Sequence, residues 1–128
     1  MRIAEASQKY HITADTLRYY ERIGLIPPVN RNSGGIRDYT EEDCNWVEFI
    51  KCMRGAGLTI EILIEYVTMF QQGNSTIKAR KKLLIEQHNQ LAEKIKEMQQ
   101  TLKRLDIKID GYEERVLVKE DQLKRTDD

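Results

Sequence analysis

Apolar residues recur three and four positions apart through most of this chain. Where that spacing fails stand glycines, prolines or short polar runs. Ile3, Ala6 and Tyr10 predict a first short helix, joined to a second through residues 10–13. Thr13 is placed to cap that second helix, its hydroxyl accepting an orphan amide near Thr16. Leu17, Tyr20 and Ile23 form its apolar stripe, Gly24 closes it, and Pro27-Pro28 prevents its resumption. The residue between the two helices needs a left-handed backbone. His11 stands there, a side chain that tolerates the region better than most; as a metal ligand it would lack a second ligand nearby. Residues 29–31 and 36–39 flank the turn Asn32-Ser33-Gly34-Gly35 and predict a β-hairpin. Thr40-Glu41-Glu42-Asp43 opens a third helix, with acidic residues at the positive end of its dipole. Trp46, Phe49, Ile50 and Met53 are its core positions, and Gly55-Ala56-Gly57 ends it. Leu58-Thr59 opens a fourth, with Ile60, Leu63, Ile64, Val67 and Phe70 on the buried side. Gln71-Gln72-Gly73-Asn74-Ser75 reads as a hinge.

From Thr76 the chain carries no Gly or Pro until Gly111. Within this run Leu84, His88, Leu91, Ile95, Met98, Leu102, Leu105, Ile109, Tyr112 and Val116 alternate four and three apart, a coiled-coil seam with one polar position. Nothing else in the chain is large enough to cover such a seam. Leu84, Leu91, Ile95, Met98, Leu102, Leu105, Ile109 and Tyr112 are therefore expected to pair with a second copy, making a homodimer. His88 on the seam fits a register device or the start of the helix better than a catalytic or metal group. The expected organisation is a head of residues 1–72, a dimerization helix of residues 76–116, and a tail of residues 117–128 that frays for want of apolar anchors.

Charge alters this picture little. The chain has 21 Lys and Arg against 21 Asp and Glu. The first 58 residues hold eight of each sign, so no broad basic field marks a non-specific nucleic-acid coat. The start Met1-Arg2-Ile3-Ala4-Glu5 has no apolar run and no stretch suits a bilayer, so a cytoplasmic protein without membrane partners is expected. Two cysteines in such a protein point to thiols rather than a disulfide framework. There is no Gly-rich phosphate loop after a strand, no carboxylate pair in an apolar setting and no serine with a plausible base. No catalytic residue, cofactor or metal site is expected, and no enzyme activity.

The second helix carries the chemistry. Opposite its stripe lie Thr16, Arg18, Tyr19 and Arg22, hydroxyls and guanidiniums suited to phosphate oxygens and base edges. A short helix so decorated, following another short helix, reads as the second helix of a helix-turn-helix, with the hairpin beside it as a wing. Arg31, Arg37 and Tyr39 would then reach phosphates beside the groove. A purely structural coiled-coil protein is the rival reading, and it leaves Arg18, Tyr19 and the wing without a purpose.

The block TLRYYERIGLIPP, followed by GIRDYTEED, resembles the MerR family of bacterial transcription regulators, over nearly the whole chain. The resemblance implies a mainly α fold: a winged helix-turn-helix head with a small β-hairpin wing, then a long dimerization helix in an antiparallel coiled coil. It implies double-stranded DNA as partner, at an inverted-repeat promoter operator, with Thr13, Thr16, Arg18, Tyr19, Arg22, Arg31, Arg37 and Tyr39 at the interface. It also implies activation by untwisting and bending over-separated promoter elements so that RNA polymerase engages both. His11 departs from the family pattern, which has glycine at that turn.

What such a regulator would sense turns on two thiols. No cysteine follows Cys52, which argues against soft-metal sensing by thiolates at the dimerization helix. Cys44 and Cys52, roughly 12 Å apart along one helix, are too distant to bridge without unfolding it. Cys44 lies among Glu41, Glu42, Asp43 and Glu48; Cys52 lies between Lys51 and Arg54, cations that favour a thiolate. From the residues alone, a reactive thiol and a small buried hydrophobe are equally good readings of Cys52. The stretch WVEFIKCMRGAGLTIE resembles the aldehyde-responsive branch of the family, whose members use one cysteine at this place. That resemblance implies Cys52 as sensor of an electrophile such as formaldehyde or methylglyoxal, tuned by Lys51 and Arg54. Another thiol-reactive or oxidative signal is the alternative.

Overall fold

The computed structural model describes residues 1–127, and side chains through Leu123. Six α-helices follow one another: α1 Ile3–Tyr10, α2 Ala14–Arg22, α3 Glu41–Gly55, α4 Ile60–Gln72, α5 Ile77–Ile109 and α6 Tyr112–Asp127. The chain divides into two compact units, Met1–Gln87 and His88–Asp128.

In the first unit the helix ends are set by the residues expected to set them. His11 has φ 54° and ψ 43°, the left-handed geometry that turns α1 into α2. Thr13 caps α2: its Oγ1 accepts from the Thr16 amide at 3.1 Å and donates to Thr16 Oγ1 at 2.8 Å. At the other end Leu25 N–H reaches Tyr20 O (2.9 Å) and Gly24 N–H reaches Glu21 O (3.2 Å), with Gly24 at φ 81°. That is a Schellman closure, which needs a left-handed residue after the last turn. Helix α3 closes identically, Leu58 N–H to Met53 O and Gly57 N–H to Arg54 O, with Gly57 at φ 93°. Its start is a capping box between Thr40 and Asp43, and Thr59 caps α4.

One apolar cluster binds these helices. Ala6, Ile12, Leu17, Leu25, Ile26, Val29, Tyr39, Cys44, Val47, Ile50, Leu58 and Leu63 are buried together. Leu17, Val47 and Ile50 have no exposed surface. Trp46, Phe49 and Met53, expected as core, are only partly buried against this cluster; the inner face of α3 is Cys44, Val47 and Ile50 instead. The residues after the prolines, Leu25, Ile26 and Val29, supply core that periodicity could not reveal because no helix carries them.

Two expectations need correction. Among the described residues there is no β-strand: the 31–37 loop is closed by an isolated antiparallel bridge between Arg31 and Arg37. Asn32 explains why. Its Oδ1 accepts from the amides of Gly34 (2.9 Å) and Ile36 (3.1 Å) and its carbonyl from Gly35 (2.9 Å), so the turn absorbs donors that a ladder would need. The dimerization helix expected over residues 76–116 is two helices. Gly111, at φ 66°, separates α5 from α6, so Tyr112 does not continue the seam of α5 on one straight rod. Residues 117–127 lie on α6, and Asp128 lies outside the described residues.

Gln71 to Ser75 is also more than a hinge. Thr76 Oγ1 shares its single proton between the carbonyls of Met69 (2.6 Å) and Gly73 (2.7 Å) and accepts from Arg80 Nε at 3.0 Å. Arg80 stacks over the Phe70 ring at 5.4 Å. Leu83, on the first turns of α5, is buried at 8% exposure, which draws those turns into the first unit.

His11 gives a direct test of the turn. Replacement by glycine should leave the thermal midpoint unchanged or raise it by the equivalent of a few tenths of a kcal/mol, since glycine reaches φ near +54° without strain. His11→Val should cost about 1–2 kcal/mol, because a β-branched side chain clashes in that region. Thermal melts followed by circular dichroism would read both.

Candidate nucleic-acid interface

Helix α2 is held with its stripe inward: Leu17 has no exposed surface, and Tyr20 and Ile23 pack partly against the cluster. The 3.6-residue period then forces Arg18, Tyr19 and Arg22 outward, and all three are exposed. Arg22 lies over the Tyr19 ring at 5.5 Å, which limits the freedom of both. Arg18 donates from Nη1 to Asp15 at 2.9 Å, but with Asp15 95% exposed the pair is loosely held. Thr13 and Thr16 are occupied by the cap, with Thr16 half-buried.

The expected wing residues fare differently. Arg31 is exposed and donates to the Gly35 carbonyl at 2.9 Å, stiffening the turn. Arg37 is drawn in: its Nε donates to Glu21 Oε1 at 2.7 Å, with side-chain exposures of 27% and 13%. Tyr39 does not reach the surface at all. It is 2% exposed, and its hydroxyl is buried without a hydrogen-bond partner among the described residues. Burial holds its phenol pKa above the ordinary value, with Arg37 opposing. Tyr39 is therefore a core residue of the head, not the surface phenol expected beside the groove.

The sequence missed the groups that hold this face together. Glu21 Oε2 also accepts from the Val29 amide at 2.7 Å, so one carboxylate joins α2 to two segments beyond it. Asp43 accepts from the next amide, Asn30, at 3.2 Å and from Asn30 Nδ2 at 3.1 Å, besides its part in the capping box. Both partners of Glu21 lie beyond helical spacing, at eight and sixteen residues, where no local pattern points to them.

The thiols separate clearly. Cys44 is buried, its Sγ 4.0 Å from Met1 Sδ, whereas Cys52 is exposed. The cations expected to tune Cys52 are engaged elsewhere: Lys51 Nζ donates to the Tyr10 carbonyl at the end of α1, and Arg54 Nη1 to the Leu58 carbonyl at 2.7 Å. Side chains one and two positions apart on a helix diverge, so sequence adjacency did not become contact. Any influence on the thiol is exerted through their field. Among the described residues no cluster of His, Cys, Asp or Glu could hold a metal ion. No described helix is long and apolar enough to cross a membrane.

Comparison with known proteins accounts for this arrangement. The model of the MerR HTH family regulatory proteins matches residues 1–69, and that of the MerR DNA-binding region matches residues 45–107. The chain belongs to the MerR family. The HTH-type transcriptional regulator AdhR of Bacillus subtilis is 58% identical over 93 residues, 73% of this chain and 66% of that protein. The chain thus spans just under two thirds of that relative's length. Among solved structures, a protein from Listeria monocytogenes assigned to the same family superposes with a TM-score of 0.86 at 46% identity, covering 99% of this chain and 96% of its own. HiNmlR, a MerR family regulator lacking the sensor domain and crystallised bound to promoter DNA, superposes with a TM-score of 0.81 at 29% identity, covering 88% and 90%. This chain carries the family's helix-turn-helix head, and the relatives it matches are described as transcriptional regulators.

The buried hydroxyl of Tyr39 yields a prediction. Tyr39→Phe should raise stability by about 1 kcal/mol, since an unpaired buried polar group costs roughly 1–3 kcal/mol and the ring stays in place. Urea unfolding measures this, and operator affinity should not fall.

Proposed function

We propose that this regulator acts as a homodimer on an inverted-repeat promoter operator and responds to reactive aldehydes through Cys52. The observation that carries the sensor is the contrast between the two thiols: Cys52 is open to solvent, and Cys44 is enclosed in the core. The thiolate adds to the carbonyl carbon, a C–S bond forms, and the C=O π pair moves onto oxygen, which takes a proton from water. The product is a hemithioacetal, and nothing is oxidised. Cys52 stands near the end of α3, three residues before its last, Gly55. An adduct there adds bulk beside the Schellman closure that turns α3 into α4, where it can alter how the head is set. Distorting promoter DNA costs several kcal/mol, so the two states must differ in how they hold the half-sites.

Dimerization through α5 is supported by exposure. Ile95, Met98, Leu102, Leu105 and Ile109 are 47–70% exposed, a run of large apolar side chains on one helix that water would disfavour. Leu102→Glu with Leu105→Glu should give monomers in sedimentation velocity that lose specific operator binding. A stable wild-type monomer at micromolar concentration would contradict the assembly.

Two further outcomes test the reading. Arg18→Ala should weaken operator binding by about 1–3 kcal/mol if it reads a base, or lower the salt slope if it holds a phosphate. Cys52→Ser should retain folding and operator binding but abolish induction of a reporter on the native promoter by formaldehyde or methylglyoxal, while Cys44→Ser responds nearly as wild type. Mass analysis would locate the adduct, and full induction of Cys52→Ser would end the thiol-sensor reading.

A further inference from the structure

Backbone hydrogen bonds close the 31–37 loop on itself, Asn32 N–H to Ile36 O (2.9 Å) and Asp38 N–H to Asn30 O (2.7 Å), and the next amide, Tyr39, reaches Met1 O (2.7 Å). What they leave open is the loop's attachment to α2 and α3, which must come from side chains. Two carboxylates meet that need. Asp43 holds Asn30 from the α3 side, and Glu21 holds both Val29 and Arg37 from α2. Glu21 is the unusual member. It is a carboxylate on the helix whose outward face meets a polyanion, where an isolated negative charge opposes binding. Yet it is 13% exposed and spends both oxygens on charge-assisted or amide hydrogen bonds of 2.7 Å. Arg37 is engaged only through Nε, and its terminal guanidinium nitrogens have no protein partner among the described residues.

We propose that Glu21 is a positioning residue for DNA recognition: it fixes the guanidinium of Arg37, and with it the 31–37 loop, at a set place beside the exposed face of α2, so that the terminal nitrogens of Arg37 meet a backbone phosphate already oriented. This rests on the DNA-binding reading above and assigns a role within it. An arginine left free would lose side-chain rotamer freedom on meeting DNA; one held at Nε has already lost it. Because the pair is electroneutral, its value lies in geometry, and geometry and charge predict opposite signs. If Glu21 were only a negative charge near DNA, removing it would tighten binding. If it positions Arg37, removing it weakens binding.

The experiment uses full-length protein and a fluorescein-labelled duplex carrying the sequence that wild type selects from a random pool, titrated by anisotropy across a salt series. Glu21→Ala should weaken binding about tenfold, the order of one lost charge-assisted hydrogen bond. It should also flatten the dependence of log K on log salt by about 0.9, one phosphate contact. Arg37→Ala should do the same, and the double variant should be no worse than either. Glu21→Gln keeps an acceptor for Val29 and Arg37 and should recover part of the affinity; it also guards against a fold lost in Glu21→Ala, with circular dichroism as control. Tighter binding by Glu21→Ala overturns the proposal, as does weaker binding with an unchanged salt slope, or additive losses in the double variant. Arg37→Ala binding as wild type while Arg18→Ala weakens overturns it too, and leaves DNA binding by α2 standing. A wild-type protein that selects no sequence overturns both.

Discussion

The arrangement of the head follows from burying Leu17. That side chain has no exposed surface, and it belongs to the same buried layer as Val47 and Ile50 of α3, which are equally enclosed. A helix of nine residues cannot stand alone in water, so α2 exists because this layer holds it. Once Leu17 faces inward, the helical period leaves no choice about positions 18, 19 and 22. Presenting two arginines and a tyrosine outward is thus the same fact as packing the core. A cavity at Leu17 would disturb the outward face without touching any residue on it, and leucine-to-alanine changes in such sites cost roughly 2–5 kcal/mol.

What local pattern encodes was readable, and what distance encodes was not. In the head, caps, helix ends and the left-handed turn at His11 depend on residues within five positions of one another, and the structure has them where spacing placed them. The wing did not form strands, because Asn32 competes for the very amides that a hairpin would pair. Tyr39 looked like a surface phenol from its arginine neighbours. In the fold its amide pairs with the Met1 carbonyl at 2.7 Å, and its ring is enclosed in the cluster. Glu21 drew no notice in the sequence, since a lone carboxylate on a helix is ordinarily a solvated one. The cations beside Cys52 misled in the opposite way: close in sequence, they serve carbonyls on α1 and after α3.

The two carboxylates that matter most, Glu21 and Asp43, share a pattern. Each sits at a helix end and accepts a backbone amide from the segment of residues 29–30; Glu21 holds one further group, Arg37, and Asp43 two, Asn30 Nδ2 and the Thr40 amide. Two adjacent amides are thereby clipped from opposite sides, by α2 and by α3. A stretch lacking regular structure acquires a defined course through side-chain acceptors, as buried backbone donors require. The outward face of α2 and the loop beside it are in this way parts of one hydrogen-bonded assembly.

The corner around Thr76 has a mechanical consequence. A joint intended to swing freely would leave its carbonyls to water, yet here one hydroxyl serves two of them, one arginine braces the hydroxyl, and the same arginine lies on the Phe70 ring. Such a joint has little backlash. A small rotation of α4 is passed to the first turns of α5 as rotation, instead of being absorbed as bending. The corner behaves as a coupling between two shafts. A displacement beginning within the head would therefore reach the first turns of α5 as rotation.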